Sequence, residues 1–308
     1  MAKLERDKLA DIEIHVGDPN EQVRDSLRSI MRAEGMRRIN TFIRFEDFIE
    51  SLKKSTPDLL LLADDFDDNI FDVVRDIRNY RLGNNPFTLI TMLIAQDNEG
   101  GMKKVIQSGA DDVLIKPLSP GKLLERVGHL AFNRLPFIAT TDYVGPERRR
   151  TTDRPSNIPR LDVVNTLKDK VEGRRLSTVQ LTRAVNLGMR EVLMAQLDSY
   201  PLKLAYVCNL IVKSWTEKDV LADRGRQFDW LVSVFEDAAR HAKKLRRDAL
   251  ADAWMGMTTQ VRAIQATFGE DNKPDIAALQ AIPKLFEATK AAFPEEPRGE
   301  GGSQQEVA

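Results

Sequence analysis

The sequence predicts an α/β domain built on a five-stranded parallel sheet, followed by an all-helical domain. Three observations predict it. Residues 12–131 read as five strand–helix units in succession. Two of the strands, Leu59–Leu62 and the run FTLITMLI at 87–94, are continuously apolar, as in strands covered on both faces. Residues 161–293 contain no credible strand run and repeat apolar residues at helical spacing. The 308 residues suffice for two domains of ordinary size.

Each unit follows from its residues. Ile12, Ile14 and Val16 alternate with polar neighbours, the period of two that marks a strand. Asp18 and Pro19 follow. Val23, Leu27 and Ile30 then recur at helical spacing, and Gly35 sits where a helix end favours glycine. Residues 39–43 suit a second strand, and Phe45, Phe48, Ile49 and Leu52 a short amphipathic helix. After the strand at Leu59–Leu62, Ile70, Val73, Val74 and Ile77 make the third helix. After the strand at 87–94, Met102, Val105 and Ile106 lead to Gly109, and residues 113–115 form strand five. Ser119 and Pro120 open a capped last helix, LLERVGHLAF. Strands alternating with helices imply right-handed crossovers and a doubly wound sheet.

This rhythm, the Gly109 turn and the ending Ile115-Lys116-Pro117 resemble the receiver domain of bacterial response regulators. The resemblance implies a flavodoxin-like sheet in the order 2-1-3-4-5, with its site beyond the carboxyl ends of strands one and three. Asp18 and the carboxylates at 64–68 fall there by sequence position. The family places two acids after strand one, an aspartate acceptor after strand three, a Ser or Thr after strand four and a Lys after strand five. The acids hold Mg²⁺, a hard cation that takes oxygen ligands, and the acceptor carboxylate attacks phosphorus. The lysine and the hydroxyl neutralise phosphoryl oxygens, and the hydroxyl's movement relays the signal.

This chain departs from that pattern. The acid pair reads Gly17-Asp18. Counted from Pro57-Asp58, the acceptor position falls on Ala63; if the third strand runs one residue longer, Asp64 becomes the acceptor, with Asp65 or Asp67 assisting the metal. The apolar run Leu59–Leu62 does not fix which register holds. The hydroxyl position, counted back from Lys116 through Gly109, falls on Ile94, and Val113 stands where the family often has an aromatic. Lys116-Pro117 is intact, and by resemblance its bond is a candidate cis peptide. Alanine cannot be phosphorylated, a lone aspartate plus water holds Mg²⁺ weakly, and isoleucine cannot hydrogen-bond a phosphoryl oxygen. The same residues also fit plainer roles. Asp18 with Pro19 and Glu21 fits a capping box with proline at N1. Asp64, Asp65, Asp67 and Asp68 fit a solvated loop at a helix N-terminus. Lys116 would then pair with Asp18 or Asp64.

Residues 136–160 carry four prolines and little apolar periodicity, so they read as a linker. Within it, YVGPERRR is either a solubilising segment or one that docks on an acidic surface or a phosphate. In the second domain, Val164, Leu167 and Val171 begin the helical spacing, and Ser177 with Gln180 forms a capping box. The next helix is expected to end near Ser199, before Tyr200-Pro201. A long stripe from Phe228 through Phe235 to Ala242 is expected to continue through Leu245 toward Phe268, and Pro283 to kink or break the last helix. Trp215, Trp230 and Trp254 are expected as core anchors of a helical bundle. His241 and Lys244 match the His-x-x-Lys spacing of phosphotransfer domains, although Leu245 replaces the glycine that usually follows; an ordinary surface histidine fits as well.

Charged residues make up 30% of the chain at a net charge of −1, leaving no basic excess for nucleic acid. The single cysteine, Cys208, excludes an internal disulfide framework. The N-terminus, MAKLERDKLAD, carries no apolar run and reads as no signal peptide. These features point to a soluble, cytoplasmic, bacterial protein. The expected layout is an extension at 1–11, a receiver-like domain at 12–135, the linker at 136–160, a helical domain at 161–293 and a disordered tail at 294–308. The expected function is phosphorylation-independent signalling by protein–protein recognition in a two-component or phosphorelay pathway, without enzymatic activity. The alternative is a working receiver phosphorylated at Asp64, with Mg²⁺ at Asp18 and Asp64, controlling the helical output domain. The resemblance implies a signalling partner such as a histidine kinase. It also implies contacts or a homodimer through the face of the fourth helix, fifth strand and fifth helix (residues 99–108, 112–116 and 120–131).

Overall fold

The structure, a computed structural model, describes residues 6–95, 99–148, 158–217, 223–268 and 274–294. The arginines at 149 and 150 and the tail from residue 295 lie outside the described residues. The chain divides into two compact units, Met1–Ala195 and Gln196–Ala308. The first opens on the short helix α1 (Arg6–Leu9) and then alternates: β1 (Glu13–Gly17), α2 (Glu21–Ala33), β2 (Arg38–Phe42), α3 (Phe45–Lys54), β3 (Leu59–Ala63), α4 (Ile70–Arg78), β4 (Leu89–Ile94), α5 (Glu99–Ser108), β5 (Asp112–Ile115) and α6 (Pro120–Phe132). The five strands pair in parallel in the order β2-β1-β3-β4-β5, as the sequence predicts.

Two apolar layers cover the sheet. Leu59 and Leu61 of β3 and Leu89 and Leu93 of β4 pack on one face with Leu27 and Met31 of α2 and Leu123 and Val127 of α6. Leu60 and Leu62, with Ile90, Met92 and Ile94, pack on the other with Phe48 of α3, Val74 and Ile77 of α4, and Val105 of α5. The period of two persists inside runs that show no alternation in sequence. Helix ends follow their local chemistry. Gly35, at φ 103°, closes α2, and the Met36 amide donates to Met31 O. Ser119 caps α6 with Pro120 as its first residue. The cap of α2 differs from expectation: Asn20, not Asp18, accepts from the Gln22 and Val23 amides, because Asp18 is drawn into the sheet end instead.

The expected linker contains regular structure. β6 (Phe137–Ala139) and β7 (Val144–Pro146) pair antiparallel, and Phe137 exchanges both backbone bonds with Leu161. The hairpin packs on the β5 end of the sheet. Gly109, at φ +86°, has no room for a Cβ against the Val144 carbonyl, and a Cβ at Gly145 would come within 2.7 Å of Gly109 Cα. Beneath it lies a buried charge network. Arg78 donates to Gly109 O, Pro86 O, Thr88 O and Asp111 Oδ2, each at 2.6–2.7 Å. Arg134 Nε donates to Asp111 Oδ1 at 2.8 Å. Both guanidiniums lie against the Phe137 ring, at 5.2 and 4.7 Å. Burial pulls Arg78 down to about 10 against the upward pull of Asp111, so it stays charged at neutral pH.

The helix α7 (Thr166–Val171) also differs from expectation. Leu167 and Val171, which read as the start of the second core, pack with Leu9, Ile12 and Leu130 of the first unit. Helical spacing identifies an apolar face but not the core that receives it. Ser177 and Gln180 form the expected capping box before α8 (Thr178–Thr216). The residues of α8 up to Ala195 belong to the first unit, where Val185, Met189 and Val192 pack with Phe87, Phe137 and Val144.

The second unit holds the rest of α8 with α9 (Arg224–Lys244), α10 (Asp248–Thr267) and α11 (Ile276–Ala292). The expected stop at Ser199 is absent: α8 runs through Pro201. A proline inside a helix costs about 3 kcal/mol, and burial of Leu197, Tyr200 and Leu204 on either side offsets it. α11 likewise runs through Pro283. The stripe expected to continue past Leu245 is cut there. Arg246 turns at φ 58° and the Arg247 amide donates to Ala242 O, so α9 and α10 fold back on each other. Trp254 is fully buried and stacks on Phe286 at 4.2 Å, but Trp230 is 38% exposed and Trp215 half-buried, so one of the three tryptophans anchors the core as expected. Burial pushes the Cys208 thiol up to about 12. Among the described residues, no helix is long and apolar enough to cross a membrane.

Candidate functional site at the carboxyl ends of the strands

β1 ends at Gly17, β3 at Ala63, β4 at Ile94 and β5 at Ile115. The register aligns Gly17 with Leu62, Ala63 with Leu93 and Ile94 with Ile115. Asp18, Asp64 and Lys116 therefore leave the sheet at one rim. Asp18 is fully buried; its Oδ1 accepts from the Asn20 amide at 2.8 Å, and its backbone carbonyl accepts from Arg24 Nη1 at 2.7 Å. Lys116 Nζ stands 3.4 Å from Asp18 Oδ2 and 3.1 Å from Asp65 Oδ1. Burial alone would lower the lysine's pKa, but the Asp18 charge and the hydrogen bond to Asp65 outweigh it and raise it. Of the two pairings expected for Lys116, that with Asp18 forms; the second carboxylate it meets is Asp65 rather than Asp64.

Asp64 is half-buried, and its amide donates to Leu93 O at 2.9 Å, carrying the β3 ladder one bond beyond Ala63. Ala63 is wholly buried against the α3–α4 layer. Ile94 is 3% exposed, and its carbonyl accepts from the Lys116 amide at 2.8 Å. Among the described residues, no hydroxyl stands at that strand end. Val113 packs, half-buried, against the same layer. The Lys116-Pro117 bond is cis.

Phe66 and Arg24 escaped the sequence reading. A Cβ at Gly17 would come within 2.5 Å of the Phe66 ring, which packs edge-on to Phe45 and Phe48. The aromatic ring therefore fills the space that a first acid would need. The only sequence signal was that Phe66 is the single apolar residue within Asp64–Asp68. This bears on Mg²⁺. Asp18, the fully buried carboxylate of this rim, already faces an ammonium, as does Asp65, and an aromatic ring stands beside Gly17 in place of a first acid. Among the described residues no group of three Asp, Glu, His or Cys is arranged to hold a metal. The residues present do not fit the hard, oxygen-rich shell that Mg²⁺ requires.

His15 and His241 each make side-chain hydrogen bonds. His15 is buried between Glu13, Asn40 and Ser51, and its hydrogen bond is the main reason that Glu13 is held down to about 2. His241 is half-buried, with Nδ1 3.0 Å from the Tyr200 hydroxyl.

Residues 14–128 match the family model of the response regulator receiver domain. That stretch, under half of the chain, is a receiver domain. No curated protein matches the chain. Among solved structures, the response regulator DrrB of Thermotoga maritima, an OmpR/PhoB homolog, aligns at 24% identity with a TM-score of 0.33. The alignment covers 39% of this chain and 52% of that one, so the chain spans about half of its length. A response regulator receiver protein from Burkholderia phymatum aligns at 18% identity and a TM-score of 0.33, over 38% of this chain and 92% of its own. Full-length FixJ from B. japonicum aligns at 12% identity and a TM-score of 0.35, over 82% of this chain and 98% of its own.

Proposed function

We propose that the receiver domain is a pseudo-receiver, acting without phosphorylation, by protein–protein contact, in a two-component or phosphorelay pathway of the bacterial cytoplasm. The observation that carries this reading is the ion pairing of Lys116 with Asp18 and Asp65 beside Ile94. The cation that would neutralise a phosphoryl group is already neutralised, and no hydroxyl stands ready to follow it. Ala63 at the end of β3 and the ring beside Gly17 support the same reading. On it the chain is an adaptor rather than an enzyme, with a histidine kinase or another pathway protein as partner. The contact and dimerisation surface is α5, β5 and α6, and the helical unit is a second partner-binding module. The test is incubation of the full chain with acetyl phosphate, or with beryllofluoride and Mg²⁺. Intact mass and intrinsic fluorescence are expected to stay unchanged.

One observation favours a second reading, phosphorylation at Asp64. The Asp64 amide extends the β3 ladder, so its carboxylate leaves the sheet near the rim that holds Lys116. Incorporation of phosphate that is lost in Asp64→Asn would establish it and overturn the first reading.

A further inference from the structure

On the α5–β5–α6 side of the first unit lies a cavity of about 660 Å³, lined in part by Pro146, Glu147 and Arg148 after the hairpin. Its lining has two characters. Met102, Val105, Ile106 and Leu135 form an apolar wall, with Ile106 and Leu135 more than two-fifths exposed. Facing it are Lys122, Arg126, His129, Arg134 and Arg148.

Among the described residues, three buried nitrogens of this lining have no hydrogen-bond partner: His129 Nδ1, Arg134 Nη2 and Arg148 Nε. The rest of each guanidinium is anchored. Arg134 Nε donates to Asp111 and Nη1 to Val164 O at 3.1 Å, and Arg148 Nη2 donates to Ala110 O. The arginines are thus held in place with donors left over. The carboxylates of the lining are already engaged. Asp111 takes Arg78, Arg134 and the Ile90 amide; Asp112 takes Arg126; Glu147 takes Arg160. Buried donors without acceptors are costly, and the carboxylates of this lining are taken.

We propose that this cavity binds a small phosphorylated organic molecule. Its phosphate would meet Arg134, Arg148 and His129, and its less polar body would lie on the Met102–Ile106 wall. Anchored guanidinium forks suit phosphate oxygens. The volume lies within the roughly 300–1,000 Å³ of small-molecule sites, which favours a metabolite over a macromolecular phosphate. The site lies in the face assigned above to partner contacts, so occupancy would change what a partner meets. The proposal does not depend on whether Asp64 accepts phosphate.

The test is calorimetric titration of the full chain with pyrophosphate, ATP, adenosine and a phosphoserine peptide, without Mg²⁺. Pyrophosphate and ATP are expected to bind at one site and to shift the His129 ring resonances, with adenosine silent. The variants His129→Gln and Arg148→Gln are expected to weaken binding at least tenfold together, while circular dichroism and thermal midpoint keep their wild-type form. Arg134 is left intact because it also holds Asp111. Three results would each overturn the proposal: no binding of pyrophosphate at millimolar concentration, equal binding of adenosine and ATP, or affinity unchanged in the double variant. Binding of the phosphopeptide alone would replace the metabolite with a protein ligand. None of these outcomes alters the acetyl phosphate result, so the two readings fail separately.

Discussion

The two ends of the sheet in the first unit handle charge in opposite ways. At the carboxyl ends one buried carboxylate, Asp18, faces one partly exposed lysine, and the other carboxylate it meets, Asp65, is 62% exposed. At the amino ends of β4 and β5, Arg78 and Asp111 are both about 1% exposed, and the groups around them are saturated with backbone carbonyls, an amide and a second arginine. A buried charge persists when each donor and acceptor is answered, and removing one partner leaves the others stranded. The carboxyl end thus has exchangeable contacts, and the opposite end holds the architecture.

The sharpest way to break this contrast is Asp111→Ala. It strands Arg78 and Arg134 in the interior, and a loss of about 3–5 kcal/mol is expected in urea unfolding followed by circular dichroism. A loss under about 1 kcal/mol would mean that the amino end is no more committed than the carboxyl end. Glu13 supplies a third location, at the β1–β2 edge. Its carboxyl is held below 4.5, at about 2, chiefly by the His15 hydrogen bond. A depressed carboxylate stabilises the folded state fully above pH 4.5 and loses that stabilisation as pH falls to 2. An acid limb of ~3 kcal/mol is expected, flattened in Glu13→Gln. An identical limb in the variant would assign the acid sensitivity elsewhere.

Gly109→Ala adds a Cβ at φ +86° against the Val144 carbonyl. The cost is about 2 kcal/mol, with the hairpin amides losing hydrogen-exchange protection before the β1–β3 amides do. Uniform loss of protection would show that hairpin and sheet unfold as one. The smallest effect belongs to Asp65→Asn. Lys116 keeps Asp18, and an exposed pair contributes about 0–0.5 kcal/mol; a midpoint shift of several degrees would make this rim structural after all.

Legibility followed the range of the interactions. The strand–helix rhythm, the Ser119 and Ser177 caps and the Gly35 stop are local, and the sequence shows them. The loss of a hydroxyl at Ile94 was also readable, because Lys116 fixes the count. What escaped depends on distant partners. Asn20 caps α2 because Asp18 faces Lys116, 98 residues away. Pro201 sits inside α8 because buried neighbours outweigh its local cost. The YVGPER segment has no apolar periodicity, yet its glycine fits against Gly109 and its tyrosine hydroxyl reaches Pro146 O at 2.8 Å. Phe66 is the clearest case: a phenylalanine among aspartates looks like a loop residue until the strand opposite ends in glycine.

That pairing of a glycine with a ring couples positions 17 and 66 sterically. An aspartate restored at position 17 meets phenyl carbons at 2.5 Å. A trimmed residue at 66 leaves a void among Phe45 and Phe48. Either change alone costs packing, so an acid at position 17 is best accommodated together with a smaller residue at position 66.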